Sequence, residues 1–239
     1  MTVPLEFREV ALGGGRRRST WGGRRAAADD SYGALNLTVE RHETVVAIGD
    51  ESSGVDGLGA LALGLERGPG GAVWVFGTVI ATLERRAQLA FRRQVGYLPA
   101  GDGLLQNLTL RENIQLPMRF GSDFQSGDIE GRTRVILAQL RIDPVAGVRP
   151  AQANEEERRR AALGRALALD PELVILEEPF VGLTERAAAE LLEVARGGEL
   201  PEGGRRTLFI TGQDLPMILR SRVERTVRIA RGARGVVAL

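Results

Sequence analysis

Hydrophobic and polar positions alternate in two stretches of this chain and merge into unbroken apolar runs in three others. Leu5-Glu6-Phe7-Arg8-Glu9-Val10 and Leu35-Asn36-Leu37-Thr38-Val39 repeat with period two, as strands buried on one face do. Thr44-Val45-Val46-Ala47-Ile48, Leu173-Val174-Ile175-Leu176 and Leu208-Phe209-Ile210-Thr211 are continuous, the pattern of parallel strands covered on both faces. Residues 95–98 make a further strand. Residues 73–76 and 79–81 predict a hairpin around Gly77, and residues 223–229 with 236–239 predict a closing hairpin. Residues 60–65 read as helix and 83–93 as an amphipathic helix. The stretch 105–170 reads as mostly helical, broken at Pro117, at the polar segment 121–131, and at Pro144 and Pro150. Trp74, Phe76 and Tyr97 read as core. Strands alternating with helices predict an α/β fold with a mainly parallel sheet.

Composition narrows the function classes. A length of 239 residues with 43% hydrophobic content suits one large or two small domains with a sizeable core, and a single domain, residues 1–239, is expected. The formal net charge of +1 gives no electrostatic case for nucleic acid. All 32 basic side chains are Arg, and the chain has no lysine. With no cysteine there is no disulfide and no thiolate site, and no metal ligand set is expected. No apolar run approaches the ~20 residues that span a bilayer, and residues 1–20 lack a signal-peptide core. A soluble, cytoplasmic protein with peripheral membrane contact is expected. Residues 13–30 form an Arg/Gly-rich insertion, read as solvated, with contact to anionic lipid or a partner as the alternative.

The candidate chemistry begins after the first apolar run. Gly49-Asp50-Glu51-Ser52-Ser53-Gly54-Val55-Asp56, followed by Gly57, fits the frame G-x-x-x-x-G-K-[ST] of a phosphate-binding loop. Val55 stands in the lysine position and Asp56 in the hydroxyl position, so the frame survives without its cation. Five further segments follow in order: Arg92-Arg93-Gln94-Val95-Gly96-Tyr97-Leu98-Pro99, Leu104 to Ile114, Arg158 to Ala168, Leu173-Val174-Ile175-Leu176-Glu177-Glu178-Pro179-Phe180-Val181-Gly182-Leu183, and Leu208 to Pro216.

With these segments in this order, the chain resembles the nucleotide-binding subunit of ATP-binding cassette (ABC) transporters over nearly its whole length. Residues 107–120 and 177–183 most resemble the ATPase of Mla/MCE-type lipid transporters. The resemblance implies a P-loop NTPase (RecA-like) core, an antiparallel β-subdomain near the N-terminus, and an inserted helical subdomain over about 103–165. It places the Q-loop glutamine on Ala100 and the signature serine and glycines on Asn154, Glu155 and Glu156. It also places the Walker B aspartate on Glu177, the D-loop aspartate on Thr184 and the switch histidine on Gln213. Only Glu178 matches its counterpart, the catalytic glutamate. The sole histidine, His42, precedes the loop and reads as ordinary.

These departures predict a site hostile to a triphosphate. Like charges at 4–6 Å cost on the order of 1–4 kcal/mol per pair. Asp50, Glu51 and Asp56 sit in the loop, and Glu155 to Glu157 would face a second subunit's phosphates. The expectation is therefore a degenerate, ATPase-inactive subunit that binds neither ATP nor Mg²⁺. Glu177, Glu178, Gln213 and Ala100 become vestigial, as do the loop Gly49 to Gly57 and the signature Asn154 to Glu156. Plainer readings accompany each: Glu177 and Glu178 as strand-end polar groups, Glu155 to Glu157 as a solvated helix N-terminus, and Gln213 as a surface glutamine. The resemblance implies a membrane permease docking in the cleft lined by residues 101–120, Gly101 at one end and Phe120 at the other. It also implies a second nucleotide-binding subunit and a place on the inner membrane. A working ATPase with unusual chemistry and a free-standing regulatory pseudoenzyme are the alternatives.

Overall fold

The computed structural model describes residues 2–12, 34–50, 52–68, 70–121, 124–198, 204–229 and 237–238. The Arg/Gly-rich stretch 13–30, Glu51 and residues 230–236 lie outside the described residues. Strands β1 (Leu5–Ala11), β2 (Ala34–Val39) and β4 (Ala72–Val75) form a three-stranded antiparallel sheet in the order β2-β1-β4. Strands β3 (Thr44–Ile48), β5 (Val95–Leu98), β6 (Leu173–Glu177), β7 (Thr207–Gly212), β8 (Arg225–Arg228) and β9 (Val237–Ala238) form a six-stranded sheet. Its order is β5-β6-β7-β3-β8-β9, parallel except for β9.

The unbroken apolar runs occupy the middle of this second sheet for a simple reason. Period-two alternation sends Val45, Ala47, Leu173, Ile175 and Phe209 to one face, against the small sheet and helix α1 (Leu58–Ala62). Val46, Ile48, Val174, Leu176, Leu208 and Ile210 go to the other face. There they pack with helices α3 (Leu110–Gly121), α4 (Ser126–Leu140), α5 (Glu155–Ala166) and α6 (Glu185–Arg196). Only a strand apolar on both sides can sit between two such layers.

Three expectations are corrected. Residues 79–81 do not form a second hairpin strand: Val75 and Thr78 make one isolated bridge, and a 3-10 turn, Ile80–Thr82, follows. Ile80 is fully buried from that turn, so the apolar run is satisfied without a strand. Pro117 does not break the chain, because α3 runs through it. A mid-helix proline costs about 3 kcal/mol, but Leu110, Ile114 and Met118 share one face and are fully buried. Each contributes about 1.5–3 kcal/mol, so packing wins. The polar segment 121–131 likewise ends inside α4, which starts at Ser126.

Helix α2 (Arg85–Arg92) forms where an amphipathic helix is expected, but none of its residues is buried. Trp74, Phe76 and Tyr97, expected in the core, are only half-buried, and Phe76 and Tyr97 pack against its edge. The Arg8 guanidinium lies 4.8 Å from the Trp74 ring centroid, a cation–π contact on the open face of the small sheet.

Candidate functional site

Parallel strands deliver their C-terminal ends to one edge of a sheet, and ligands of such sheets bind outside that edge. Register pairs Leu98 with Leu176, Glu177 with Thr211 and Ile48 with Gly212. The loop from Gly49, the turn at Ala100, the pair Glu177 and Glu178, and Gln213 all follow directly from these strand ends. Topology therefore gathers the four segments that the sequence singles out.

The loop is held by its own atoms. Gly49 donates its N–H to the Gly212 carbonyl at 3.0 Å, and a Cβ there would overlap the Ser53 side chain. Ser53 Oγ donates to the Asp50 carbonyl at 2.6 Å and accepts from Val55 N–H at 3.3 Å. Asp50 Oδ1 accepts from Ser52 N–H at 2.8 Å and from Ser52 Oγ at 2.6 Å. A carboxylate of the chain thus takes donors that such a loop offers to an anion. Gly54 turns the chain at φ 77° into a short 3-10 turn, Val55–Gly57, that leads into α1. Val55, in the lysine position, is 2% exposed and packs in the apolar cluster of Val45, Ala47 and Leu58. Asp56 points to solvent.

Glu177 is 4% exposed. Its Oε2 accepts from the Tyr97 hydroxyl at 2.9 Å and from Ala100 N–H at 3.3 Å. Its other oxygen lies 2.5 Å from where a Cβ on Gly59 would stand, so α1 approaches this carboxylate through a glycine. Glu178 sits in the left-handed region at φ 48° and donates its N–H to the Thr211 carbonyl at 2.7 Å. Glu178, Phe180, Val181, Thr211 and Gln213 line a cavity of about 420 Å³. Thr211 Oγ1 is buried there with no partner among the described residues. Gln213 and Ala100 are exposed.

The three acids of the signature segment do not form a common front. Asn154 caps α5: its side chain accepts from Glu157 N–H at 2.9 Å, and Glu157 accepts from Asn154 N–H at 2.8 Å. Glu156 pairs with Arg160 at 2.7 Å, and the Glu155 carboxylate lies against Gly182, which needs φ 74°. The reading of these acids as a triad opposing a phosphate is corrected to that extent. Each has a local neighbour, and the helix N-terminus favours all three. Thr184, in the D-loop aspartate position, caps α6 by accepting from Ala187 N–H at 3.2 Å.

Several contacts that matter here could not be read from the sequence, which named Gly101 and Phe120 only as the ends of a docking cleft. Gly101, Asp102 and Gly103 all have positive φ, at 77°, 69° and 60°. Asp102 is strained there as a non-glycine, and three contacts hold it. Its Oδ1 accepts from Leu104 N–H at 2.9 Å, its Oδ2 meets Arg158 at 3.3 Å, and its carbonyl accepts from Arg165 at 3.0 Å. Burial lowers the Arg165 guanidinium from its ordinary value, with the Asp102 charge acting in the opposite direction. Asn113, fully buried, accepts from Leu105 N–H at 2.8 Å and donates to the carbonyls of Leu105, Leu108 and Thr109. Leu105, in this stapled loop, is 48% exposed, and Phe120, near the far end of α3, is 77% exposed. His42, at φ 65°, contacts the Arg205 carbonyl through Nδ1, at the opposite end of β3 from the loop.

A glycine-framed loop between a parallel strand and a helix, flanked by an antiparallel sheet and a helical layer, defines an ATP-binding cassette fold. The family model described as ABC transporter matches residues 32–181. The lipoprotein-releasing system ATP-binding protein LolD of Alcanivorax borkumensis is 33% identical over 158 residues, 66% of this chain and 69% of that protein. The methionine import ATP-binding protein MetN 1 of Pseudomonas fluorescens is 26% identical over 159 residues, 66% of this chain and 48% of that protein. Among solved structures, the dimeric cassette MJ0796 aligns with a TM-score of 0.80 at 19% identity, covering 97% of this chain and 96% of its own. That likeness concerns the fold alone. The chain belongs to the ABC transporter family.

Membership overturns one expectation outright. The family is one of ATP- and Mg²⁺-binding subunits, so the reading that no nucleotide belongs to this chain is corrected. The side chains fit that group incompletely: the chain has no lysine to reach the loop, and the Asp50 carboxylate occupies the Ser52 donors.

Proposed function

We propose that this subunit binds ATP mainly through the backbone of residues 49–57 and turns it over slowly, serving more as a structural than a driving part of its transport complex. The observation that carries this reading is Val55, buried in apolar packing where the resemblance puts the phosphate-binding lysine. Phosphoryl transfer depends on cations around the transferring group, and the loop offers none. In this reading Glu178 alone keeps its catalytic position. Glu177, Ala100 and Gln213 are vestigial, and Asn154, Glu155 and Glu156 face a second nucleotide-binding subunit. Residues 101–120 receive a membrane permease, with Leu105 and Phe120 as apolar contacts. The chain then sits peripherally on the cytoplasmic face of the membrane. That placement is supported by the described residues, among which no helix is long and apolar enough to cross one.

The cargo proposed is lipid or lipid-linked. Support comes from the resemblance of residues 107–120 and 177–183 to Mla/MCE-type ATPases, and from the LolD relative, whose name refers to lipoprotein release. Titration and turnover of the full chain with Mg·ATP test the chemistry. Binding weaker than about 100 μM, roughly −5.5 kcal/mol, is expected. Turnover should fall about a thousandfold or more below the ~10 s⁻¹ typical of enzymes, and turnover above about 1 s⁻¹ defeats the reading. Affinity purification from native membranes, identifying co-purifying chains and lipids, tests partner and cargo.

A further inference from the structure

Glu177 occupies the position where the resemblance implies a metal-directed aspartate, yet its surroundings give it another use. It ends β6, is nearly fully buried, and binds two groups of the neighbouring strand's exit: the Tyr97 hydroxyl and the Ala100 N–H. Ala100 opens the three-residue left-handed turn Gly101-Asp102-Gly103 that leads to residues 104–109. The far side of that turn is held by Arg158 and Arg165 of α5. Gly59 of α1 is the matching adaptation. A Cβ there would stand 2.5 Å from Glu177 Oε1, 3.0 Å from Ile175 and 3.1 Å from Tyr97, so α1 closes over the longer acid only as glycine.

We propose that Glu177 is a positioning residue that fixes the start of the loop 100–109, tying it to β6 and, through Gly59, to the helix that follows the phosphate-binding loop. A side chain at position 100 has no part in this link, because the tether uses the backbone N–H. The extra methylene of Glu over Asp gives the carboxylate its reach. The link exists whether or not the loop meets a permease. That meeting rests on the reading above, and the tether is tested without it.

The experiment is amide hydrogen exchange on the full chain, resolved at residues 96–109 and along β6. In E177A the Ala100 amide should exchange about tenfold faster or more, the effect of losing a hydrogen bond to a charged acceptor. Amides inside β6 should change less than about twofold. E177Q, which keeps an acceptor oxygen of the same reach, should restore protection, and E177D, one methylene short, should resemble E177A. Y97F keeps the buried carboxylate and tests the site should E177A unfold: it should speed Ala100 exchange by a few-fold and leave β6 protected. Equal Ala100 protection in E177A and the parent, or full protection in E177D, overturns the proposal. If E177A and Y97F loosen β6 and residues 100–109 together, the carboxylate is a general core support and the proposal falls as well.

Discussion

Val55 shows how one side chain can be both a missing function and a present support. It is buried against Val45, Ala47 and Leu58, so restoring the family's lysine by V55K puts an ammonium into an apolar cluster. We expect V55K to lower unfolding stability by about 1–3 kcal/mol, measured by denaturant titration. It should not restore turnover, since groups that act as a unit are non-additive. Asp50 works the other way, because its carboxylate opposes a phosphate from the loop itself. D50N keeps an acceptor for Ser52 and removes the charge. It should tighten ADP or ATP binding by about fivefold to tenfold, the worth of roughly 1 kcal/mol of relieved repulsion. Calorimetric titration checks this, and an unchanged affinity would place the carboxylate away from the phosphates. The positions of these residues were legible from the loop frame. Their partners were not, because Asp50 to Ser52 is a matter of local rotamer and Glu177 to Ala100 spans 77 positions of sequence.

The elements were read best where one physical demand dominates. Apolar runs in β3, β6 and β7 leave no choice but burial on both faces, and all three strands lie side by side. Where two demands compete, pattern misled. Val79-Ile80-Ala81 needed Ile80 inside, and a turn met that need as well as a strand would. Pro117 argued against helix, but three fully buried neighbours on the same face outweighed it. Reciprocal caps form at Thr109-x-x-Glu112 and Asn154-x-x-Glu157, a spacing present in the sequence that went unread. The Thr109 backbone N–H, more than its hydroxyl, holds the Glu112 carboxyl below the usual range. Asn113 carries a larger share of this region, as its amide serves four backbone groups from inside the protein. N113A should cost about 2–3 kcal/mol and release residues 105–109. Denaturant unfolding together with exchange at the Leu105 amide reads both effects.

At the scale of the molecule, α5 and the end of α4 are joined to α6 by an ionic hub. Glu190 meets Arg160 at 3.0 Å, Arg186 at 3.1 Å and Arg141 at 3.2 Å, and Glu156 shares Arg160. The hydrogen bond from Arg160, then that from Arg186, holds the Glu190 carboxyl below its ordinary value. A depressed carboxylate contributes stability that is complete above its unfolded value, about 4.3. That contribution disappears as pH falls through the lower folded value. E190Q should therefore be less stable than the parent at neutral pH and converge with it in acid, as thermal unfolding across pH 7 to 2.5 would show. Persistence of the gap at the acid end would mean that the hub acts by shape and not by charge. The three left-handed residues at 101–103 bear on how this protein meets anything at all. Their conformation is settled before encounter, so little chain freedom is lost when a partner arrives. Docking on this face should then follow rigid-body kinetics, with association rates of about 10⁵–10⁷ M⁻¹s⁻¹ and no slow rearrangement after first contact.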